Sequence, residues 1–326
     1  MNILNDQAFH FALENTVDSV VITDMESIIQ YVNPAFTTIT GYAPDEVLGK
    51  KPSVLKSDST TVETYKKMWA VILSGGWWRG EIQNRKKDGE LWYSFLSISQ
   101  IRDTDGTPFA YIGISRDITE IKRLEERLFE MSLEAIYMLS MAAEAKDNVT
   151  GSHLQRVRFY SEAIARQLGL PEETVVEIGY SSMMHDVGKL NVPDEILKKP
   201  GKLSPQEWAE MKKHPSKGAA ILRDQPFYGV ARDIAAHHHE RWDGQGYPQG
   251  KRGEEIPLCS RIVTVADVFD ALTTSRPYKN AWPDEVARAK IAEGKGTFFD
   301  PKVVDAFEQL YKSGVISEIK HRYPLE

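Results

Sequence analysis

The chain has one cysteine, Cys259. An internal disulfide framework is therefore excluded, and the thiol fits a reducing compartment, so the expected location is the cytoplasm. No run approaches the ~18 consecutive apolar residues needed to cross a bilayer. The amino-terminal stretch MNILNDQAFH also lacks the basic start and apolar centre of a signal peptide. Excess positive charge is missing as well: 40 Lys and Arg stand against 47 Asp and Glu, a formal net charge of −7. That balance argues against a nucleic-acid polymer as partner. It leaves room for a small anionic ligand if Lys, Arg or metal ions gather positive charge locally. With 326 residues, 41% hydrophobic and 27% charged, the composition is that of a globular protein too long for one core. Two domains are expected.

Residues 1–118 read as α/β material with short strands. SVVITD and IIQYVN flank MES and predict a hairpin. PAFTTITGY opens on proline and closes on Gly41, the start and stop signals of a short helix. In VETYKKMWAVIL the spacing of Val62, Tyr65, Met68 or Trp69, and Ile72 gives one helical face. GEIQNRKKDGELWYSFLSISQIRD is two strand-like runs around KKDG, where Asp-Gly supplies the positive φ of a tight turn. TDGTP turns the chain again before FAYIGISRDIT.

This half resembles a PAS sensor domain over roughly residues 8–120. The resemblance is carried by YVNPAFTTITGYAPDEVLGK, GGWWRGEIQNRKKDGELWY and the closing GISRDITEIK. It implies a five-stranded antiparallel sheet with helices on one face around a small pocket, an α+β fold. Trp78 and Asn84 stand where flavin-binding relatives carry a tryptophan and an asparagine, so FAD or another small ligand is the cofactor the resemblance suggests. No histidine lies in the pocket-forming part, since His10 is at the margin, which disfavours haem.

Residues 119–138 form a signalling helix. Ile121, Leu124, Leu128, Met131, Ala135 and Met138 are spaced 3, 4, 3, 4, 3, a heptad seam flanked by Arg and Glu. The reading is a coiled-coil linker that pairs with a second copy. A homodimer through the sensor and this helix follows, with small twists or register changes passed along it.

Residues 139–326 hold six of the eight histidines, all between 153 and 239: His153, His185, His214, His237, His238 and His239. Histidine with carboxylate is the donor set of Fe, Mn and Zn sites. Leu154, Val157, Ile164 and Leu168 make an apolar stripe with His153 near the helix start. PEETVVEIGYSSMMHDVGK opens with proline at a likely first helical position and ends with His185, Asp186 and Lys189 within one helical neighbourhood. Ser204 and Glu207 form a capping box before His214. Asp267 and Asp270 share one face of a further helix. Adjacent side chains on a helix diverge by about 100°, so the His185–Asp186 and His238–His239 pairs bracket a site or serve two ions. That geometry suggests a dinuclear centre bridged by Asp186.

HDVGK, HHERWDGQGYP, EEIPLCSRIVTVADVFDALTTSRPYK and FFDPKVVDAF resemble the HD-GYP phosphodiesterases of the HD superfamily over about residues 133–320. The resemblance implies an all-α domain that hydrolyses the bacterial messenger cyclic di-GMP to pGpG, and more slowly to GMP. Carried over, the metal ligands fall on His153, His185, Asp186, His214, His238, His239 and Asp267. His237 stands one place outside the pattern, as an outer or surface residue. Some members hold a third metal through a glutamate four residues before the first histidine. That position is Val149 here, so two ions are expected, Fe or Mn.

His185, Asp186 and Lys189 are the expected catalytic residues, with two cations ~3.5–4 Å apart acidifying a water and neutralising phosphate oxygens. Tyr247 in the glycine turn would stack on guanine or bond phosphate. Arg276 and Lys279 would hold the second phosphate, and Asp270 and Asp147 are further substrate-site candidates. Two other readings stand beside this one. A catalytically silent module could bind cyclic di-GMP and signal through protein partners, or the enzyme could cleave another cyclic dinucleotide.

Overall fold

A computed structural model describes residues 6–146, 151–275 and 280–324. The chain divides into two compact units, Met1–Phe129 and Glu130–Glu326.

The first unit is a five-stranded antiparallel sheet: β1 (Ser19–Thr23), β2 (Ile29–Val32), β3 (Trp78–Arg85), β4 (Leu91–Arg102) and β5 (Pro108–Asp117), in the order β2-β1-β5-β4-β3. Helices α1 (Asp6–Glu14), α2 (Pro34–Thr40), α3 (Pro44–Val47) and α4 (Val62–Leu73) complete it. The β1–β2 hairpin pairs Val21 with Val32 and Ile22 with Tyr31. Asn33 locks it to α2: its Oδ1 accepts from Val20 N at 2.9 Å and Phe36 N at 3.0 Å, and its Nδ2 donates to Leu13 O and Asp18 O. A buried amide with every group paired both pins the hairpin and caps the helix. Gly41 ends α2 with φ 76°, a left-handed conformation that glycine adopts freely.

The expected face of α4 is only partly inward. Met68 and Ile72 are buried against Ile82 and Tyr111, whereas Val62 is exposed at the helix start. Trp78 packs on this same cluster. Asn84 shares its strand face and donates Nδ2 to Ser94 Oγ at 2.9 Å.

Helix α5 (Thr119–Ala145) runs without a break past the expected linker end. Ile121, Leu124, Leu128, Met131, Ala135 and Met138 remain exposed along it. A different stripe, Ile136, Ser140, Ala143 and Glu144, is buried.

The second unit is helical: α6 (Gly151–Gln167), α7 (Glu172–Ser182), α8 (Asp194–Leu197), α9 (Pro205–Met211), α10 (His214–Leu222), α11 (Gly229–His237), α12 (Leu258–Thr273), α13 (Asp284–Glu293), α14 (Pro301–Lys312) and α15 (Val315–Arg322). Leu154, Val157 and Ile164 of α6 are fully buried, as their spacing requires, and Leu168 packs at the edge. Each such burial contributes about 1.5–3 kcal/mol. Helix α12 is enclosed on nearly every side, with Ile262, Val263, Val265, Ala266 and Phe269 at the centre of the main core.

The helix expected to carry His185 and Asp186 stops at Ser182, and Pro171 caps it from outside rather than serving as its first residue. The chain then tightens into i→i+3 turns: His185 N donates to Ser182 O at 3.2 Å and Val187 N to Met184 O at 3.1 Å. Gly188 lies flat against α10, where a Cβ would overlap the His214 carbonyl and Gly218 N. That contact brings Asp186 up to His214, which begins α10 instead of ending α9.

Candidate metal centre

Four imidazoles in the second unit are aimed by the same device. His185 Nδ1 faces Ser182 O at 2.8 Å, His214 Nδ1 faces Met211 O at 2.9 Å, and His238 Nδ1 faces Ile234 O at 3.1 Å. His153 Nδ1 faces Asp270 Oδ2 at 2.8 Å. A carbonyl or carboxylate oxygen only accepts, so each Nδ1 carries the proton. Each Nε2 is left directed inward, the atom that can offer a lone pair to a metal.

Three of those nitrogens, on His185, His214 and His238, converge on Asp186. Its Oδ1 lies 3.2 Å from His214 Nε2 and 3.6 Å from His238 Nε2. Its Oδ2 lies 3.3 Å from His185 Nε2 and 2.8 Å from Lys189 Nζ. His153 Nε2 and His185 Nε2 are each 3.8 Å from Asp267 Oδ1. Two donor groups result. One is Asp186, His214, His238 and His239; the other contains His153 and His185 together with Glu144. The two oxygens of Asp186 face one group each.

Lone pairs facing one another at these distances repel unless a proton or a metal cation lies between them. Bonds of ~2.1 Å set ligand atoms ~3.0–3.4 Å apart, close to what is found here. His185 Nε2, Asp186 Oδ1 and Glu144 Oε2 are buried without a hydrogen bond. An unpaired buried polar atom costs ~1–3 kcal/mol, so Asp186 Oδ1 in one donor group and His185 Nε2 with Glu144 Oε2 in the other fit ions as their partners.

The local field agrees. Burial pulls the His185 imidazolium down, but Asp186, Asp267 and Glu144 outweigh it and push its pKa up to about 10. Burial likewise opposes ionisation of Asp186, yet Lys189 and His185 hold its carboxyl well below the usual range. The space around His185 and Asp186 thus favours positive charge. His238 and His239 lie lower than usual, chiefly through burial.

Around the donors stand groups that orient them. Asp270, a candidate for substrate, is fully buried and has no face toward a ligand. Besides His153 it binds Arg156, Nε to Oδ1 at 2.6 Å and Nη2 to Oδ2 at 3.0 Å. These partners hold its carboxyl at about 2 even though burial opposes ionisation. His237 is buried rather than at the surface and accepts from Lys251 Nζ at 3.1 Å.

The glycine turn is fixed from behind. Glu240 Oε1 accepts from Gln249 N at 2.8 Å, and Arg241 pairs with Asp243 at 2.6 Å. Tyr247 stacks on His239, with ring centroids 4.8 Å apart and planes at 26°. The edge of Trp208 meets Tyr247 at 6.2 Å. Burial raises the Tyr247 phenol well above its ordinary value, so it stays protonated and able to donate. A Cβ at position 246 would fall on the backbone of Glu240 and Arg241. Gly246→Ala is therefore expected to shift Tyr247 and lower stability by about 1–3 kcal/mol, measurable as a lower unfolding midpoint. An unchanged midpoint would mean the turn yields freely.

Asp147, Val149, Arg276 and Lys279 lie outside the described residues. Sequence reasoning did not single out Glu144, Arg156 or Trp208. Glu144 had left a signal: counted from Ile136 at i, i+4, i+7 and i+8, it falls on the stripe of α5 that turns inward.

A PAS domain model matches residues 17–120, and an HD domain model matches residues 137–303. A 3'3'-cGAMP-specific phosphodiesterase 2 of Vibrio cholerae is 42% identical over 215 residues, 60% of this chain and 41% of that protein. A cyclic di-GMP phosphodiesterase of Thermotoga maritima is 43% identical over 190 residues, 58% of this chain and 50% of that one. The cyclic di-GMP phosphodiesterase response regulator RpfG of Xanthomonas campestris is 45% identical over 192 residues, 56% and 51% of the two chains. The match spans about half or less of each of these relatives.

Proposed function

The chain belongs to the HD domain family, of the HD-GYP type and with a PAS domain ahead of it, and from there we propose that it is a metal-dependent phosphodiesterase of cyclic dinucleotides. The preferred substrate in this reading is cyclic di-GMP, opened to linear pGpG and more slowly to GMP. The observation that carries it is the pair of donor groups sharing Asp186, with four Nε2 atoms aimed inward by hydrogen bonds on the far side of each ring.

His153, His185, Asp186, Asp267, His214, His238 and His239 would hold two divalent ions, with Fe or Mn suited to mixed nitrogen and carboxylate donors. When bound, such a pair supplies positive charge for phosphate oxygens and makes water a better nucleophile near neutral pH. Asp186 orients both halves of the site, and Lys189 adds a fixed charge beside it. Water adds to phosphorus, the bond to the 3′ oxygen breaks, and the products are a 5′-phosphate and a 3′-hydroxyl. Tyr247, backed by His239, offers a flat face for a purine. Arg276 and Lys279 are assigned to the second phosphate, and Asp147 to the substrate rim, on family resemblance alone.

The first unit is read as the regulator. FAD or another small ligand would lie on the strand face that Trp78 shares with Asn84. The exposed seam of α5 suits a second copy of this chain, because apolar residues at a and d spacing with charged flanks are what parallel helix pairs bury. This reading places the protein in the cytoplasm with other signalling proteins as partners; among the described residues no helix is long and apolar enough to cross a membrane.

The test is anaerobic turnover of cyclic di-GMP and 3'3'-cGAMP with manganese or ferrous iron, with products identified against standards. Cleavage that a chelator abolishes is the expected result. Metal-loaded protein that binds cyclic di-GMP but leaves it intact would replace the enzyme by a receptor. Preference for 3'3'-cGAMP, the substrate named for one relative, would move the specificity and keep the chemistry. Tyr247→Ala is expected to raise KM by about 10-fold with a smaller change in kcat, from a stacking contribution of ~1–3 kcal/mol. A KM that does not move would remove Tyr247 from the base site.

A further inference from the structure

We propose that Glu144 is a direct ligand of the cation held at His153 and His185, so that this ion draws one of its donors from helix α5. The inference rests on the two-ion reading above and adds a residue that the HD-GYP resemblance does not supply. Val149 occupies the position where some members place an extra glutamate, and valine has no donor atom.

Glu144 is 1% exposed, and a ligand oxygen of its carboxylate lies within 4.8 Å of the ligand nitrogens of both His153 and His185. Its Oε2 is buried without a hydrogen bond, as is His185 Nε2. A carboxylate enclosed in this way needs a cation, because burial of an unpaired charge costs several kcal/mol. The lysine and arginine side chains placed nearby are engaged elsewhere. Lys189 Nζ is 2.8 Å from Asp186 Oδ2, and Arg156 is taken up by Asp270. Lys146, on the same segment, donates to Leu190 O and Val192 O at 2.9 and 2.6 Å.

The donor set for this ion is then Glu144, His153, His185 and Asp267, with Asp186 shared. The other ion has Asp186, His214, His238 and His239. Each has two or three imidazoles and at least one carboxylate, the donor mixture that suits ferrous iron and manganese. Helix α5 begins two residues after β5 ends, so the helix that leaves the sheet carries this ligand in its last turn.

The experiment is metal loading of the full chain, read by elemental analysis and by manganese titration of metal-free protein, with electron paramagnetic resonance to distinguish a coupled pair from a single ion. Wild type is expected to take up two ions with a coupled signal. Glu144→Gln should keep the ion at His214, His238 and His239 and weaken the other by more than the ~10–100-fold seen when an outer partner of a ligand is removed, leaving an uncoupled spectrum. Glu144→Asp, a shorter carboxylate, should bind the second ion at intermediate strength, which a merely structural role would not produce. Circular dichroism establishes that both variants are folded. Two tightly bound, coupled ions in folded Glu144→Gln would overturn the assignment, even if the protein hydrolyses cyclic dinucleotides. Loss of one ion in Glu144→Gln would uphold it, even if no cyclic dinucleotide is cleaved.

Discussion

Asp186→Ala is expected to lose both bound ions and to reduce phosphodiester hydrolysis by at least ~10³-fold, the scale seen when one preorganised charged contact is taken from a transition state. The size follows from position. One carboxylate meets His214 and His238 through Oδ1 at 3.2 and 3.6 Å, and His185 through Oδ2 at 3.3 Å. On the two-ion reading, removing it takes a ligand from each ion and leaves His214 and His238 without the carboxylate they face. Asp186→Asn keeps the shape but presents a neutral amide, and it should also be inactive. Steady-state kinetics with metal analysis of the same samples checks both variants. Full turnover by metal-loaded Asp186→Ala would remove the site from the reaction. The unfolding of the first unit should be unaffected in either variant.

The largest expected effect on stability is Asp270→Ala. Asp270 and Arg156 are both fully buried, and the guanidinium's remaining contacts are Tyr323 O at 3.0 Å and Thr274 Oγ1 at 3.1 Å. Taking one member from a buried ion pair leaves an uncompensated charge and costs about 3–5 kcal/mol. For a unit of this size that is a fall of roughly 6–20 °C in its unfolding midpoint. His153 also loses the partner of its Nδ1, so the affinity of its ion should fall by about 10–100-fold. Calorimetry and metal titration read the two effects separately. An unchanged midpoint would show that Arg156 finds another partner, and an unchanged affinity would show that the backbone alone holds His153.

The sequence reading succeeded where one residue type answers to one local rule. The Pro34 helix start, the KKDG turn and the α6 stripe are of this kind, and each is decided by neighbours within about four positions. The gathering of His153, His185, Asp186, His214, His238, His239 and Asp267 was legible from helical contexts and family resemblance together. It went astray where long-range packing decides. Nothing near His185 in sequence announces that α7 ends at Ser182, because that end is set by Gly188 lying against α10. Asp270 looked available from its spacing to Asp267, yet Arg156, 114 positions away, claims it. The heptad seam of α5 was readable as a pattern, but a single chain leaves it uncovered, and the helix turns a second stripe inward that carries Glu144.

The carbonyl contacts behind three of the imidazoles have a consequence for loading. Ser182 O, Met211 O and Ile234 O belong to the main chain, so the aim of those rings is decided when the helices pack, before any ion arrives. A cage assembled in advance spends little rearrangement on the ion it receives. On the two-ion reading, different first-row divalent ions would then be received with little change in the rings, and supply would weigh more than fit in deciding which is held.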